Sequence, residues 1–285
     1  MLLLVLPAVG ANLVLEIHWW ARNSESQTIG ILGICLILGL VAWKRRSATP
    51  SGAIAGAAIT ASLGYSTSIA GFYTWSSAII PVVAVLLLTS LATRIGRAKK
   101  EQLGLAEERK GRNATQVAAN LGFSALISCE AAQSWLIDSG WFAPHGIAPI
   151  PIFAPMLAAL SEAVADTVSS EIGQVLGGQP RMITNFRRVD PGANGAISLA
   201  GSLAGIVAAG VVAMVGTVTL FPRQIEMGLV AWAGGLFGLF FDSLLGATVE
   251  QRGWLNNDLV NFISTASAAA FALLLLALIP HLGVG

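Results

Sequence analysis

Four carboxylates interrupt apolar stretches of the sequence. Glu162, Asp166 and Glu171 lie on or at the end of one apolar run, and Asp242 lies inside a later one. An ionisable side chain within hydrocarbon is costly and marks a functional site by default. Glu162 and Asp166 share a helix face because they are four residues apart, and carboxylates facing a bundle interior suit Mg²⁺ held with phosphate oxygens. We predict that Asp166, Glu171 and Asp242 are catalytic and bind Mg²⁺; the alternative is a buried structural network between helices.

Amide side chains occur in further apolar runs. Asn120 lies in one of them, and Asn261 lies in the last run, just after Asn257 and Asp258. An amide within hydrocarbon needs a hydrogen-bond partner or a ligand. We therefore predict that these four side chains contact the substrate. The alternative for the run Asn256 to Asp258 at the start of the last helix is that it only caps that helix.

A basic loop precedes a helix of small residues. Arg187 and Arg188 are followed by Gly192, Asn194 and Gly195. Arginine forks match the geometry of phosphate, glycines free backbone N–H groups to form an anion nest, and the N-terminus of the next helix favours negative charge. We predict that Arg187, Arg188, Gly192 and Asn194 bind phosphate. No Lys-Ser/Thr follows the glycine, so this is not a Walker A loop, and the alternative is an ordinary basic turn.

The elements that position these residues are membrane helices. The chain has 285 residues, of which 55% are hydrophobic and 11% charged, with a mean hydropathy of +0.73. A soluble domain carries about 25% charged residues, so lipid must be much of the solvent of this chain. Backbone groups in hydrocarbon must bond within their own segment, which makes each apolar run a helix. We predict an all-α polytopic bundle of about nine helices, with six as the lower limit, forming one membrane domain over residues 1–285. The runs are 1–17, 28–43, 51–72, 76–92, 113–130, 149–171, 196–219, 226–249 and 259–281.

Lysine and arginine are concentrated in alternate linkers. The linkers 44–50, 93–112, 172–195 and 250–258 hold 14 of the 16 basic residues, and the other side keeps Arg22 and Arg223. The positive-inside rule makes the basic side cytoplasmic, so the N-terminus is inside and the C-terminus outside. All the polar groups above then lie in the cytoplasmic halves of their helices. The stretch from Lys99 to Lys110, which includes Arg109, is interpreted as a solvated face near anionic lipid.

Several stretches together resemble the phytyl-phosphate kinase family of integral membrane proteins. The resemblance is strongest over residues 50–265, and the chain differs at Ala193, where the family pattern predicts a threonine hydroxyl. The order of the motifs is also loosely similar to that of CTP-using membrane kinases and cytidylyltransferases. The matching stretches are 91–96 with Lys99 and Lys100, 111–120, 165–173, 180–184, 189–195, and 242–247 with Asn257, Asp258 and Asn261.

The resemblance implies a membrane-embedded kinase that transfers phosphate from a nucleoside triphosphate, CTP or similar, to an isoprenyl monophosphate. It places the protein in the inner membrane of a prokaryote or in a thylakoid or plastid-type membrane, with the bilayer, the isoprenoid phosphate and the nucleotide as partners. The net charge of +1 gives no indication of nucleic-acid binding. The alternatives are a lipid or small-molecule transporter and a nucleotidyltransferase that makes a CDP-lipid.

Overall fold

In the part of the chain that the structure describes, nine long helices coincide with the nine predicted apolar runs. The computed structural model describes residues 1–68, 76–105, 111–139, 153–222 and 224–278. Within these residues, two short helices, α5 and α7, lie in connections, and two short strands form a small antiparallel sheet. Arg109, Lys110 and Arg223 of the predicted charge pattern lie outside the described residues. The elements are α1 Leu2–Asn23, α2 Glu25–Lys44, α3 Pro50–Thr67, α4 Ile79–Arg94, α5 Arg97–Gln102, α6 Ala114–Ser128, α7 Glu130–Asp138, α8 Phe153–Leu176, β1 Arg181–Met182, β2 Ala196–Ile197, α9 Leu199–Leu220, α10 Ile225–Leu245 and α11 Asn257–Leu278.

Five of the described helices are long and apolar enough to cross a bilayer by themselves. They are α1, α2, α9, α11 and α10, the last of which continues through a π-helical turn to Glu250. Helix α4 is a shorter apolar helix. A helix of about 20 residues is needed to span hydrocarbon. The predicted all-α membrane fold is therefore confirmed.

Helix α8 occupies the centre of the bundle. It contacts α4, α6, α9, α10 and α11, and every residue from Phe153 to Ala165 is buried. A helix that is apolar all round must be surrounded by other elements, and this first half of α8 is apolar apart from Ser161 and Glu162. The second half carries Asp166 and Glu171 toward one end of the bundle. The central helix is thus both the core of the fold and the carrier of the predicted carboxylates.

Glycines on the neighbouring helices let them approach α8 closely. A Cβ atom on Gly205 of α9 would lie 2.7 Å from the backbone oxygen of Ala165, and one on Gly235 of α10 would lie 2.7 Å from Cβ of Ser161. No hydrophobic driving force acts between helices in lipid, so their association depends on the close van der Waals packing that small residues permit. Gly56 of α3 does not lie at such a close contact, because the atom nearest to its Cβ position, on Val117, is 3.7 Å away.

The basic linkers meet at one end of the bundle. Two of them form an isolated parallel bridge between Ala48 and Arg112, and side chains and backbone groups join the others. The predicted grouping of these linkers at one end is therefore observed. The hydrogen bonds concerned are Arg112 N to Ser47 O (3.1 Å), Lys99 Nζ to Val175 O (2.6 Å) and Gln251 Nε2 to Asn194 O (2.9 Å).

The close α8–α9 contact predicts that Gly205→Val lowers stability. The added side chain would meet the backbone of Ala165, and such overpacking costs about 1–3 kcal/mol. Gly33→Val is the matched control, because nothing lies within 4 Å of the Cβ position of Gly33. Thermal unfolding of the detergent-solubilised protein should show a lower midpoint for Gly205→Val only. Equal midpoints for the two variants would contradict the packing argument.

Candidate active site

A polar cavity opens at the end of the bundle where the basic linkers meet. Its empty volume is about 1310 Å³, open solvent included, and its walls come from α6, α8, α10 and α11, with the loop before α9. Predicted site residues from every one of these elements reach it. Those that line the cavity are Asn120, Asp166, Glu171, Gly192, Asn194, Asp242, Asn257, Asp258 and Asn261.

The carboxyl groups of Asp166 and Asp242 face each other across the α8–α10 contact. Both carboxylates line this cavity and lie close enough for their charges to interact, and Glu162 lies one turn deeper, 1% exposed. No described residue bonds the buried Oδ1 of Asp242 or the buried Oε1 of Glu162. Two carboxyls this close ionise together only when a cation lies near both of them; without a cation, they share one proton. The pair is therefore chemically suited to a divalent cation.

The three predicted metal ligands do not form one group. The ion pair of Glu171 with Lys100 occupies Oε2, and Thr93 Oγ1 donates to Oε1 of Glu171 over 3.0 Å. Within the described part of the chain, no three His, Cys, Asp or Glu side chains are arranged to hold a metal ion. Glu171 thus lines the cavity while both of its oxygens are bonded to the corner between α4 and α5.

Lys100 is not a solvated lysine. Its side chain is 1% exposed, and Nζ also donates to the backbone oxygens of Ala92 (3.2 Å) and Thr93 (2.9 Å). The interpretation of 99–110 as a solvated face is wrong at this residue. The helix α5 folds back onto α8, and that turn brings the ammonium group to Glu171. A buried charge of either sign requires such a partner.

Arg112 is the basic residue among those that line the cavity. Its guanidinium lies 3.4 Å from Thr167 Oγ1, one residue from Asp166. The backbone is held by the bridge to the α2–α3 linker and by a capping box, in which Asn113 accepts from the Gln116 amide and Gln116 accepts from that of Asn113. Sequence reasoning did not assign a role to Arg112, although the Asn-x-x-Gln pattern marks a helix start beside it.

The loop before α9 forms one wall of the cavity. Gly192 and Gly195 have φ of 87° and 77°, a region in which side chains other than glycine are strained. Backbone bonds hold the loop, with Ile183 N donating to Gly195 O over 3.1 Å, and the Asn194 oxygen accepts from Gln251 Nε2. The loop thus lies against the π-helical turn after α10, a form of helix that is common at functional sites.

Arg187 and Arg188 do not line the cavity. Both side chains are exposed on the segment between β1 and β2. The backbone amide of Arg187 donates to Asn185 Oδ1 over 3.0 Å, and the backbone of Arg188 forms an antiparallel β-bridge with that of Arg181. The small sheet turns this segment away, and the chain reaches the cavity again at Pro191. The structure therefore brings the glycine loop to the carboxylates without the two arginines.

The segment at the start of α11 contains one residue that caps the helix and three that line the cavity. Asn256 Oδ1 accepts a hydrogen bond from Leu259 N over 2.9 Å, so Asn256 caps the helix. Asn257, Asp258 and Asn261 line the cavity instead. Of the two alternatives for this segment, the capping role applies to Asn256 only.

The chain is similar to membrane proteins from archaea, cyanobacteria and plants. It is 40% identical over 109 residues (38% of this chain, 45% of the relative) to "Uncharacterized membrane protein MJ0933" of Methanocaldococcus jannaschii. It is 31% identical to "Uncharacterized membrane protein sll0875" of Synechocystis sp. over 67% of this chain and 71% of the relative. It is 32% identical to "Protein VTE6, chloroplastic" of Arabidopsis thaliana over 72% of this chain and 61% of that protein. The chain thus spans less than two thirds of the length of two of these relatives.

No solved structure matches the chain significantly. A family match covers most of it, because the family described as integral membrane protein DUF92 matches residues 33–269. The predicted membership of a known integral membrane family is thereby confirmed. The chain belongs to the DUF92 family of integral membrane proteins.

Proposed function

We propose that the protein is a membrane-embedded phosphotransferase that moves the γ-phosphate of a nucleoside triphosphate, CTP or similar, to an isoprenyl monophosphate. The observation that carries the proposal is the facing pair Asp166 and Asp242 in a polar cavity that also contains Arg112 and the glycine loop. The motif resemblance to phytyl-phosphate kinases and the similarity to the plant protein VTE6 support it.

Asp166 and Asp242 are the residues that would hold Mg²⁺. Their proximity and the unpaired buried Oδ1 of Asp242 fit a hard cation with oxygen ligands. Mg²⁺ commonly binds through one or two protein carboxylates plus substrate phosphates, so a third protein ligand is not required. When bound, the cation would neutralise charge on the transferring phosphoryl group. Glu171, with both oxygens bonded, would hold the α4–α5 corner against α8.

Arg112 and the loop 191–196 would bind the phosphates of the donor. A guanidinium offers a fixed fork of donors, and glycines with positive φ turn backbone N–H groups toward one side. Both line the cavity whose carboxylates come from α8 and α10. This arrangement of cation ligands and phosphate donors is suited to phosphoryl transfer, which depends mainly on positioning and charge neutralisation.

The transfer itself requires little of the side chains. An oxygen of the acceptor monophosphate attacks the γ-phosphorus, the bond to the β–γ bridging oxygen breaks, and a nucleoside diphosphate leaves with the bonding electrons. The products are the isoprenyl diphosphate and the nucleoside diphosphate. An ionised phosphate oxygen needs no strong base, which agrees with a cavity that no described histidine lines.

The position of the cavity favours an enzyme over a transporter. Transporter sites lie near the bilayer midplane at the interface of structural repeats. This cavity lies where helices begin or end, at the turns that precede α6, α9 and α11. Access from the aqueous phase at one end suits a nucleotide.

The test is transfer of label by the purified protein in detergent, with phytyl or geranylgeranyl monophosphate as acceptor. CTP and ATP are each supplied with label in the γ or in the α phosphate, with Mg²⁺ present. Transfer of the γ label to lipid is expected. Transfer of the α label would show a nucleotidyltransferase instead, and transfer of neither would overturn both enzyme functions.

Asp166→Asn and Asp242→Asn should each lower transfer about 100-fold or more. The loss of a cation ligand removes several kcal/mol of charge stabilisation, and 1.36 kcal/mol corresponds to about a tenfold change in rate. Asp138→Asn is the matched control on an exposed residue outside the cavity. Initial rates and size-exclusion profiles would be measured together. Near-normal rates in either cavity variant would remove that residue from the proposed cation site.

Lysine variants decide which arginine binds the donor phosphates. Arg112→Lys should lose about tenfold or more in nucleotide affinity, because lysine cannot form a bidentate fork. Arg188→Lys tests the loop arginine that the sequence indicated, and Arg252→Lys is the control. Equilibrium binding of Mg²⁺–CTP to each variant is the measurement. A loss confined to Arg188→Lys would assign the phosphates to the β1–β2 turn.

The cavity end of the bundle should face the cytoplasm. The basic linkers lie at this end, and basic residues flanking membrane helices are retained inside. In a variant without Cys35 and Cys129, Arg252→Cys should react with a membrane-impermeant maleimide from the cytoplasmic side only, and Asn23→Cys from the opposite side only. Reaction of both from one side would contradict the proposed orientation.

A further inference from the structure

A second, apolar groove lies beside the polar cavity. It runs between α2, α3, α4 and α6, and its empty volume is about 1130 Å³, open solvent included. Its walls are mainly small or aliphatic, with Ala53, Gly56 and Ala57 on α3 facing Leu86 and Val85 on α4. Such a wall has no hydrogen-bonding requirement. It suits a flexible hydrocarbon chain.

The mouth of this groove is basic. Arg45, Arg46, Arg94, Arg97 and Arg112 line it, and no carboxylate is among the described lining residues. Arg97 also forms an exposed ion pair of 3.1 Å with Glu101, and exposed pairs of that kind are weak. An apolar groove with a cluster of guanidinium groups at its mouth is complementary to an anion that carries an apolar tail.

Two features hold the arginines of the α2–α3 linker in place. Arg46 has φ of 57°, a conformation that residues other than glycine rarely adopt. The turn that follows is bonded to the α6 start, with Thr49 N donating to Arg112 O over 2.9 Å. Backbone strain at an over-determined position is typical of ligand clamps. The linker and Arg112 therefore form one unit.

The groove and the polar cavity share a wall. Arg112 and Asn120 line both. Thr93, which lines the groove, donates to Glu171, which lines the cavity. A head group at the mouth of the groove would consequently lie next to the cavity that contains Asp166 and Asp242.

The apolar surface continues beyond this groove. Gly39, Ala53 and Ala57 also line a shallower groove on the outer side of α1, α2 and α3, whose described lining residues are almost entirely apolar. The α2–α3 contact, in which Gly39 packs against Ala53 and Ala57, lies between the two grooves.

We propose that this groove binds the acceptor, with the isoprenyl chain along α3 and its monophosphate among Arg45, Arg46, Arg94 and Arg112. This assignment rests on the proposed function and adds the place and orientation of the lipid substrate. The donor enters the polar cavity from the aqueous end, and the acceptor enters from the bilayer. Arg112 then lies between the two phosphate groups that react.

Photolabelling tests the groove independently of turnover. A geranylgeranyl monophosphate analogue with a diazirine in its chain is added to the purified protein, and the cross-links are mapped by mass spectrometry. Cross-links on α3 and α4, displaced by excess unlabelled geranylgeranyl monophosphate, are expected. Cross-links confined to other helices would overturn the assignment.

Gly56→Leu fills the groove, and Gly33→Leu is its matched control. The Cβ position of Gly56 has room, and Gly33 lies on α2 outside every cavity described above. Gly56→Leu should lower photolabelling about tenfold and Gly33→Leu should not. Arg46→Gln should lower labelling while Arg252→Gln does not. Equal labelling of the Gly56 variant and the parent would overturn the proposal.

The outcomes separate the groove from the reaction. Specific cross-links on α3 without transfer of the γ label would keep the groove and overturn the kinase. Transfer of the γ label with unchanged labelling and turnover in Gly56→Leu would keep the kinase and overturn the groove. With both intact, Gly56→Leu should raise KM for geranylgeranyl monophosphate more than for dimethylallyl monophosphate, whose shorter chain would fill less of the groove.

Discussion

Carboxylates lie where α8 and α10 cross, and their burial constrains how the surrounding helices pack. Glu162 is buried beneath the polar cavity that Asp166 and Asp242 line, and removing a charge from water costs several kcal/mol unless something compensates. Helices α9 and α10 approach α8 closely at glycines such as Gly205 and Gly235. The same closeness that packs the core brings Asp242 against Asp166, so that packing and chemistry depend on one helix crossing.

The end of the bundle is ordered by contacts between distant segments. The α2–α3 linker bonds to Arg112, and the loop before α9 bonds to Gln251. Lys100 and Glu171 join α5 to α8. Linkers of a membrane protein are ordinarily the mobile part, but here each is hydrogen-bonded to another. Under the proposed function, the loops hold their phosphate-binding donors in fixed positions, which is what electrostatic preorganisation requires.

The proposed function requires two substrates of opposite character to meet at this end. A nucleotide needs a polar cavity open to water, whereas an isoprenoid needs an apolar path open to lipid. The polar cavity and the apolar groove meet at Arg112 and Asn120. Under the proposed function, this shared wall permits transfer between a water-soluble donor and a lipid acceptor without either leaving its own solvent.

The sequence by itself determined the helices and most of the residues at the site. Apolar runs, basic linkers and isolated polar residues are local patterns, and the requirement that backbone groups in lipid bond internally makes each run a helix. Nine of the predicted site residues line one cavity for that reason. Only the tertiary structure decided that Arg112, and not Arg187 or Arg188, lines it, that Lys100 is buried, and that a groove runs along α3. Those outcomes depend on the β1–β2 sheet, on the bridge between Ala48 and Arg112, and on the turn that brings α5 back to α8. Each of these joins segments that are far apart in the chain, and no local pattern specifies such pairings.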